Sequence, residues 1–268
     1  MGLMSLFVVI ISFFMVAHNV NSATFNFPGF QLPNTKDLTF EGDAIASNRV
    51  LKLTKTAYGV PLPSSAGRAS FAEPVHLWDE KTGELAGFTT NFFFDVEPVQ
   101  TSPGLHGDGI TFFIAPFNSK IPQNSTGGFL GLFSSDSAFN AYQNQIVAVE
   151  FDTFADRWDP ISSHIGIDIN SIVSTTTVPW RTGNSVSTSL AFATVTYEPV
   201  AKNLSVLVKQ IDQQRGLNFS TTTTSLSLVV DLRSVLPEWV RVGFSGATGL
   251  LVENHRIYAW DFKSSFTY

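Results

Sequence analysis

The chain has 268 residues, including 25 Phe, 5 Trp and no Cys, and its formal net charge is −6. The acidic balance and the lack of a basic run argue against nucleic acid as a partner, and the missing thiols exclude cysteine-based catalysis. The length suits one large all-β domain, and the aromatic residues can supply a core without disulfides.

The chain begins with an apolar segment, residues 6–17. It is shorter than the ~20 apolar residues needed to span a bilayer and is typical of a secretory signal peptide, although no Lys or Arg precedes it. We expect residues 1–22 to be the signal peptide and residues 23–268 the mature domain, with no membrane span. Three sequons, at Asn124, Asn203 and Asn218, predict N-glycosylation of a secreted surface.

Short segments rich in Thr, Val and Phe follow in chain order, separated by Gly, Pro, Asn and Ser. They predict strands at 24–27, 38–42, 50–54, 87–96, 109–115, 147–152, 165–167, 189–197, 204–208, 226–230, 240–245 and 257–262. No helical period emerges, and no change in composition marks a domain boundary. The pattern predicts a single antiparallel β-sandwich or barrel.

Four carboxylates and one imidazole are concentrated just after the middle of a chain in which only 14% of residues are charged. Glu150 and Asp152 alternate with apolar residues, so both project from one face of a strand. Asp156 and Asp159 lie in the following loop, and His164 opens the next strand. Oxygen ligands from Asp152, Asp156 and a loop carbonyl suit Ca²⁺, whereas carboxylates with one imidazole suit Mn²⁺. From chemistry alone, an acidic solvent-facing loop explains these residues equally well.

The residues of this stretch, and others along the chain, resemble the signature of the legume lectins. The matching segments are 25–27, 106–116, 127–131, 146–154, 158–160, 164–172, 178–180, 242–249 and 260–262. Together they extend the resemblance over nearly the whole of residues 23–268.

The resemblance implies a concanavalin-like jelly-roll sandwich that binds two metal ions beside a sugar pocket. Its Mn²⁺ ligands are Glu150, Asp152, Asp159 and His164, and its Ca²⁺ ligands are Asp152, the Phe154 carbonyl, Asp156 and Asp159. The implied sugar contacts are the Asp108 carboxylate, the Gly128 N–H, Asp156 and stacking on Phe154. It also implies a cis peptide between Gly107 and Asp108.

The chain departs from the family pattern at Asp156, where the pattern has Asn. As a calcium ligand Asp serves at least as well, but an ionised Asp cannot donate a hydrogen bond to a sugar hydroxyl. Losing a donor from a buried polar contact costs about 1–3 kcal/mol, a large share of the ~4 kcal/mol of a millimolar monosaccharide complex. We therefore expect metal binding with weakened or altered sugar specificity.

The last loop, from Gly249, is short and resembles that of the mannose/glucose type, with Leu250 and Leu251 offering only backbone groups to a sugar. The expected protein is a secreted plant lectin, extracellular or vacuolar (protein bodies), that binds glycans or glycoproteins as a homodimer or homotetramer.

Two other functions compete with sugar binding. One is a defence or storage protein of the same fold that binds no sugar. The other, less favoured, is a glycoside hydrolase, which needs a second carboxylate where this strand continues to Phe154. We expect no enzymatic activity.

Overall fold

The computed structural model describes residues 23–98, 105–180, 189–213 and 219–266. The expected signal peptide and the sequon at Asn218 lie outside the described residues. Within the described ranges the regular secondary structure is antiparallel strand apart from three short 3-10 turns, as the sequence predicts.

Sheet 1 contains eight of the described strands, in the order β16-β15-β14-β9-β18-β4-β3 with β1 paired to β18. Its members are β1 (Thr24–Phe27), β3 (Ile45–Ser47), β4 (Val50–Lys52), β9 (Ala86–Pro98), β14 (Ser189–Glu198), β15 (Asn203–Gln213), β16 (Phe219–Val229) and β18 (Glu253–Phe266).

Sheet 2 also contains eight of the strands in the described ranges, in the order β13-β12-β11-β10-β17-β7-β2 with β8 paired to β17. Its members are β2 (Leu38–Gly42), β7 (Ser65–Phe71), β8 (Val75–His76), β10 (Gly109–Pro116), β11 (Val147–Asp152), β12 (His164–Ile169), β13 (Thr176–Pro179) and β17 (Trp239–Thr248). A two-stranded ribbon of β5 (Thr56–Ala57) and β6 (Val60–Pro61) stands apart from both sheets.

The helices in the part of the chain that the structure describes are three short 3-10 turns, at Asn34–Asp37, Gly127–Phe129 and Leu232–Ser234. None of the helices among the described residues is long and apolar enough to cross a membrane.

The main core lies between the two sheets and is rich in phenylalanine. In β9, Phe88, Phe92 and Phe94 are buried and alternate with residues that are more exposed. The Phe92 ring lies 4.9 Å from that of Phe244 on the opposite sheet and 5.8 Å from that of Phe151. Such edge-to-face contacts add specific attraction to the burial of apolar area, and they fix how the sheets sit on each other.

Strand β11 is buried on both faces because a second apolar cluster covers the outer side of sheet 2. Val149 and Phe151 face the main core, whereas Ala148 packs with Leu130 and Phe133 of the loop after β10. The alternation predicted from the sequence is therefore confirmed. It also places Glu150 and Asp152 on the outer face, beneath that loop, where they are nearly inaccessible to solvent.

Candidate functional site

Strand register brings three chain segments to one end of sheet 2. Gly109, the first residue of β10, pairs with Asp152 at the end of β11 on one side and with Ala247 of β17 on the other. Residues separated widely in sequence, Asp108, Thr153 and Gly249, therefore become neighbours where these strands end. Hydrogen bonds from the Thr153 N–H to the Asp108 carbonyl (3.0 Å) and from the Asp108 N–H to the Ala247 carbonyl (3.1 Å) join the segments.

Three of the predicted metal ligands form a compact group. Glu150, Asp152 and His164 each offer one ligand atom, and these atoms lie within 4.8 Å of one another. Asp152 and His164 are directly paired across β11 and β12, and His164 Nε2 lies 2.9 Å from Glu150 Oε1. All three side chains are at most 2% exposed.

Charge crowding in this group indicates that it fits a cation. Burial, followed by the charges of Glu150 and Asp159, raises the pKa of Asp152 well above its ordinary value. Burial also raises the pKa of Asp159, to about 6. A bound cation would relieve the repulsion, and two carboxylates with an imidazole suit a transition ion.

Asp159 lies beside the compact group and not within it. Its Oδ2 atom accepts a hydrogen bond of 2.8 Å from the Asp156 N–H. Its carboxylate is still close enough for Glu150 and His164 to influence its pKa. In this structure it orders the loop that carries both acids.

Asp168 and Ser174, which were not among the residues predicted from the sequence, complete the surroundings of Glu150. The Ser174 hydroxyl lies 2.5 Å from Glu150 Oε1 and 2.6 Å from Asp168 Oδ1. Burial, and next the charge of Glu150, raises the pKa of Asp168 well above its ordinary value. The strand period held the signal, because positions 164, 166 and 168 share a face. Position 166 on that face favours glycine, since a Cβ there would overlap the Ser174 hydroxyl and the Glu150 carboxylate and would force both side chains to move.

The predicted sugar contacts lie close together near the end of β11, whose last residue is Asp152. The peptide between Gly107 and Asp108 is cis, as the sequence resemblance implied. The Asp108 side chain is 7% exposed, and its Oδ2 has no hydrogen-bond partner. Burial, followed by the charges of Asp156 and Glu253, raises the pKa of Asp108 to about 7.

Asp156 faces the same space with an unpaired acceptor. Its Oδ2 atom is buried and has no hydrogen-bond partner, and burial raises the pKa of the group. It touches Gly128 so closely that a Cβ there would overlap this carboxylate. The structure thus brings Asp108, Asp156 and the Gly128 backbone together, as expected, and presents two acid groups in one small space.

The last loop and Phe154 border this space. A Cβ added to Gly107 would lie 2.9 Å from Phe154 Cβ and 3.9 Å from Leu251 Cβ, so these residues meet there. Leu250 is 96% exposed and points away from any packed surface. The loop itself is only the four residues between β17 and β18, Gly249 to Val252.

Three aromatic side chains form a wall beside Gly128. Trp158 stacks on Phe129 at 5.7 Å between ring centroids, and Phe139 meets Trp158 edge-on at 5.1 Å. A Cβ on Gly128 would lie 3.0 Å from Trp158 Cζ2. Phe139 remains 54% exposed.

The two predicted glycosylation sites within the described ranges differ in setting. Asn124 is exposed in a loop and has a positive φ of 55°. Asn203 is half-buried at the first position of β15, where it pairs with Glu198 and Val229. A glycan therefore meets less obstruction at Asn124.

Comparison with known proteins gives one family. The family model described as legume lectin domain matches residues 22–268. "Lectin 7" of Medicago truncatula is 55% identical over 267 residues, which cover 97% of this chain and 96% of that protein. Basic winged bean lectin with Tn-antigen superposes with a TM-score of 0.79 at 39% identity, covering 92% of this chain and 100% of that one. A lectin from Bauhinia forficata in complex with GalNAc gives 0.78 at 38% identity, with the same coverages of 92% and 100%.

Proposed function

The chain belongs to the legume lectin family, and we propose that it is a carbohydrate-binding lectin whose binding depends on bound metal ions. The single observation that carries the proposal is the adjacency of two features. The Glu150, Asp152 and His164 group lies on the same strand ends as Asp108, whose buried Oδ2 lacks a partner. A buried acceptor without a partner is costly in a folded protein and marks a place where a ligand can donate.

The proposed metal ligands divide between two ions. Glu150, Asp152, Asp159 and His164 would hold Mn²⁺, and Asp152, the Phe154 carbonyl, Asp156 and Asp159 would hold Ca²⁺. Once bound, the cations supply positive charge that relieves the repulsion among these carboxylates and orders the loop that carries Asp156. The crowding that raises the pKa of Asp152 supports this assignment.

The proposed sugar contacts surround the space between the segment just before β10 that carries His106 and Asp108, here called the first loop, and the last loop. Asp108 accepts from sugar hydroxyls, the Gly128 N–H donates, and Phe154 stacks against the apolar face of the ring. Leu250 and Leu251 contribute backbone groups. The short last loop supports a mannose/glucose type, with specificity altered by Asp156.

A second candidate, a lectin-like protein without sugar binding, is favoured by one observation. Asp108 and Asp156 both place unpaired acceptor oxygens in the pocket, and a single hydroxyl proton can satisfy only one of them. Defence or storage would then be the function. Catalysis gains no support, because β11 ends at Asp152 and the aromatic Phe154 stands where a Glu-x-Asp-x-Glu arrangement would place the second acid that glycoside hydrolysis needs.

The proposal includes the setting of the protein. A signal peptide of residues 1–22 directs it to the secretory pathway, and it acts outside the cell or in vacuolar protein bodies. Assembly into homodimers or homotetramers would convert weak single-site binding into useful avidity.

A glycan array with and without EDTA tests the proposal. We expect binding to mannose- or glucose-containing glycans that is lost with EDTA and restored by Ca²⁺ and Mn²⁺. Binding only to galactose or GalNAc glycans would overturn the mannose/glucose assignment. A blank array with the metal-loaded protein would favour the non-binding relative, and binding that survives complete chelation would contradict metal dependence.

A further inference from the structure

A fully buried carboxylate outside the metal group connects the loops of the site. Glu253 is the first residue of β18 and follows the last loop directly. Its side chain has no exposed area. The proposed sugar and metal contacts do not use it, so its burial needs another explanation.

Three donors surround this carboxylate. Glu253 Oε2 lies 2.5 Å from His106 Nδ1, and Oε1 lies 2.9 Å from His255 Nε2 and 2.7 Å from the Thr153 hydroxyl. Burial alone would raise the pKa of Glu253, but the hydrogen bonds from His106 and His255 outweigh it and leave the pKa below its ordinary value. An ionised carboxylate only accepts, so each partner must present its proton to Glu253.

Two of these donors belong to the chain segments that carry the sugar pocket. His106 lies two residues before Asp108 in the first loop. Thr153 follows Asp152, and both its N–H and its hydroxyl lie 3.0 Å from the Asp108 carbonyl oxygen. The hydroxyl has one proton, and the charged Glu253 carboxylate is the stronger acceptor. The carboxylate therefore sets the orientation of Thr153, which in turn holds Asp108.

The last loop is tied to the same point. Glu253 directly follows that loop. Gly249, at the beginning of the loop, lies against the Asp108 carboxylate, since a Cβ there would lie 3.1 Å from Asp108 Oδ2. The loop before β10, the loop after β11 and the last loop are distant in sequence, and they thus meet around the Glu253 carboxylate.

We propose that Glu253 is the positioning residue of the site, whose carboxylate holds Asp108 through His106 and Thr153 at the geometry needed for a sugar hydroxyl. Its effect on sugar affinity rests on the proposed function, whereas its effect on the order of the loops does not.

Glu253→Gln provides the test, since it keeps the side-chain size, removes the charge and replaces one acceptor oxygen with an amide NH₂ that faces a group donating in the wild type. Asp95→Asn is the matched control. Asp95 is also fully buried on the β9–β18 strand pair, but it is held by Arg256 and Tyr258. Both variants neutralise one buried acid, and only the first affects the loops.

Amide hydrogen exchange of the metal-loaded protein is the first measurement. In Glu253→Gln we expect the Asp108 and Thr153 amides to exchange roughly tenfold faster or more, the usual effect of losing a hydrogen bond to a charged group. Asp95→Asn should leave both amides at the wild-type rate. Unchanged exchange in Glu253→Gln, or equal acceleration in the control, would overturn the positioning role.

A second pair of variants covers the case in which Glu253→Gln does not fold. Thr153→Val removes only the hydroxyl and should accelerate exchange at Asp108, whereas the conservative Thr153→Ser should restore it. If Thr153→Val exchanges like the wild type, the proposed link through this hydroxyl is wrong.

Sugar affinity is the final measurement, made with the glycan that the wild type binds best. Glu253→Gln should weaken binding at unchanged metal content, and Asp95→Asn should not. If the wild type binds no glycan, the proposed function fails and the exchange experiment alone decides the positioning role. If the wild type binds and Glu253→Gln binds equally well, the positioning role fails and the proposed function stands.

Discussion

Replacing Asp156 by Asn changes one atom of the proposed pocket from an acceptor to a donor group. In the structure the Asp156 Oδ2 and Asp108 Oδ2 atoms are both buried and have no hydrogen-bond partner. Their mutual repulsion also contributes to the raised pKa of Asp108. A sugar hydroxyl has one proton. If it donates that proton to Asp108, Asp156 is left without a hydrogen bond, and if it donates to Asp156, Asp108 is left without one.

The size of the effect follows from this geometry. With Asp156→Asn, the hydroxyl can donate to the Asp108 carboxylate and accept from the new amide, so both groups are satisfied. An unsatisfied buried group costs about 1–3 kcal/mol, so the variant should bind a monosaccharide roughly 5- to 150-fold more tightly.

Isothermal titration calorimetry with methyl mannoside and methyl glucoside measures the change, with metal content determined for each protein. Asp136→Asn is the control, because it removes the same charge from an exposed position in the loop that covers sheet 2. Equal affinity of wild type and Asp156→Asn would refute the idea that Asp156 limits sugar binding. An equal gain in Asp136→Asn would assign the effect to net charge.

Three further outcomes are expected. In the EDTA-treated protein the free energy of unfolding should fall by about 2–3 kcal/mol from Asp108 alone as pH rises from 5 to 7. The reason is that folded Asp108 keeps a proton that the unfolded chain releases. Thermal unfolding across this pH range measures the change, and a stability that stays constant or rises with pH would contradict it. Gly166→Ala should lower the midpoint of thermal unfolding and the affinity for Mn²⁺, because its Cβ would overlap the Glu150 carboxylate. Wild-type values in both measurements would show that the neighbouring side chains and strands can shift to accept the Cβ. Asn124→Gln expressed in plant cells should lose the mass of one glycan, whereas Asn203→Gln should not, and intact mass spectrometry decides between them.

Alternation of apolar and polar residues predicted the strands whose two faces differ. β9 and β11 follow that pattern, and their buried Phe and Val side chains lie where the sequence indicates. β7 gave no such signal, because Ser65–Phe71 is built mainly from small residues around Arg68. That arginine is buried against the Phe113 ring at 4.3 Å, a contact that depends on the neighbouring strands and cannot be inferred from local composition.

The candidate site, like the fold, was predictable from the sequence only in part. Strand period alone placed Glu150 and Asp152 on one face, but it left a solvent-facing acidic loop equally plausible. The ligand set that adds Asp159 and His164 was expected from the family resemblance. The proximity of Asp108 to Asp156 was expected only from the family resemblance, since no local pattern connects them. The Glu253 network was not predicted at all: its partner His106 is 147 positions away in sequence, and a buried acid on a strand is indistinguishable from a solvent-facing one until its neighbours are known.

The aromatic wall beside Gly128 contains Trp158, whose intrinsic fluorescence depends on its surroundings. Trp158 is half-buried next to the proposed pocket, whereas Trp180 and Trp260 are buried in the main core. A ligand that displaces water near Gly128 changes the polarity around the Trp158 indole and leaves the core indoles unaffected. The other four tryptophans also emit, and Trp239 is 40% exposed. The change in total emission on adding a ligand, and not its absolute level, can therefore follow occupancy of the proposed pocket in real time, without a label and without immobilising the protein.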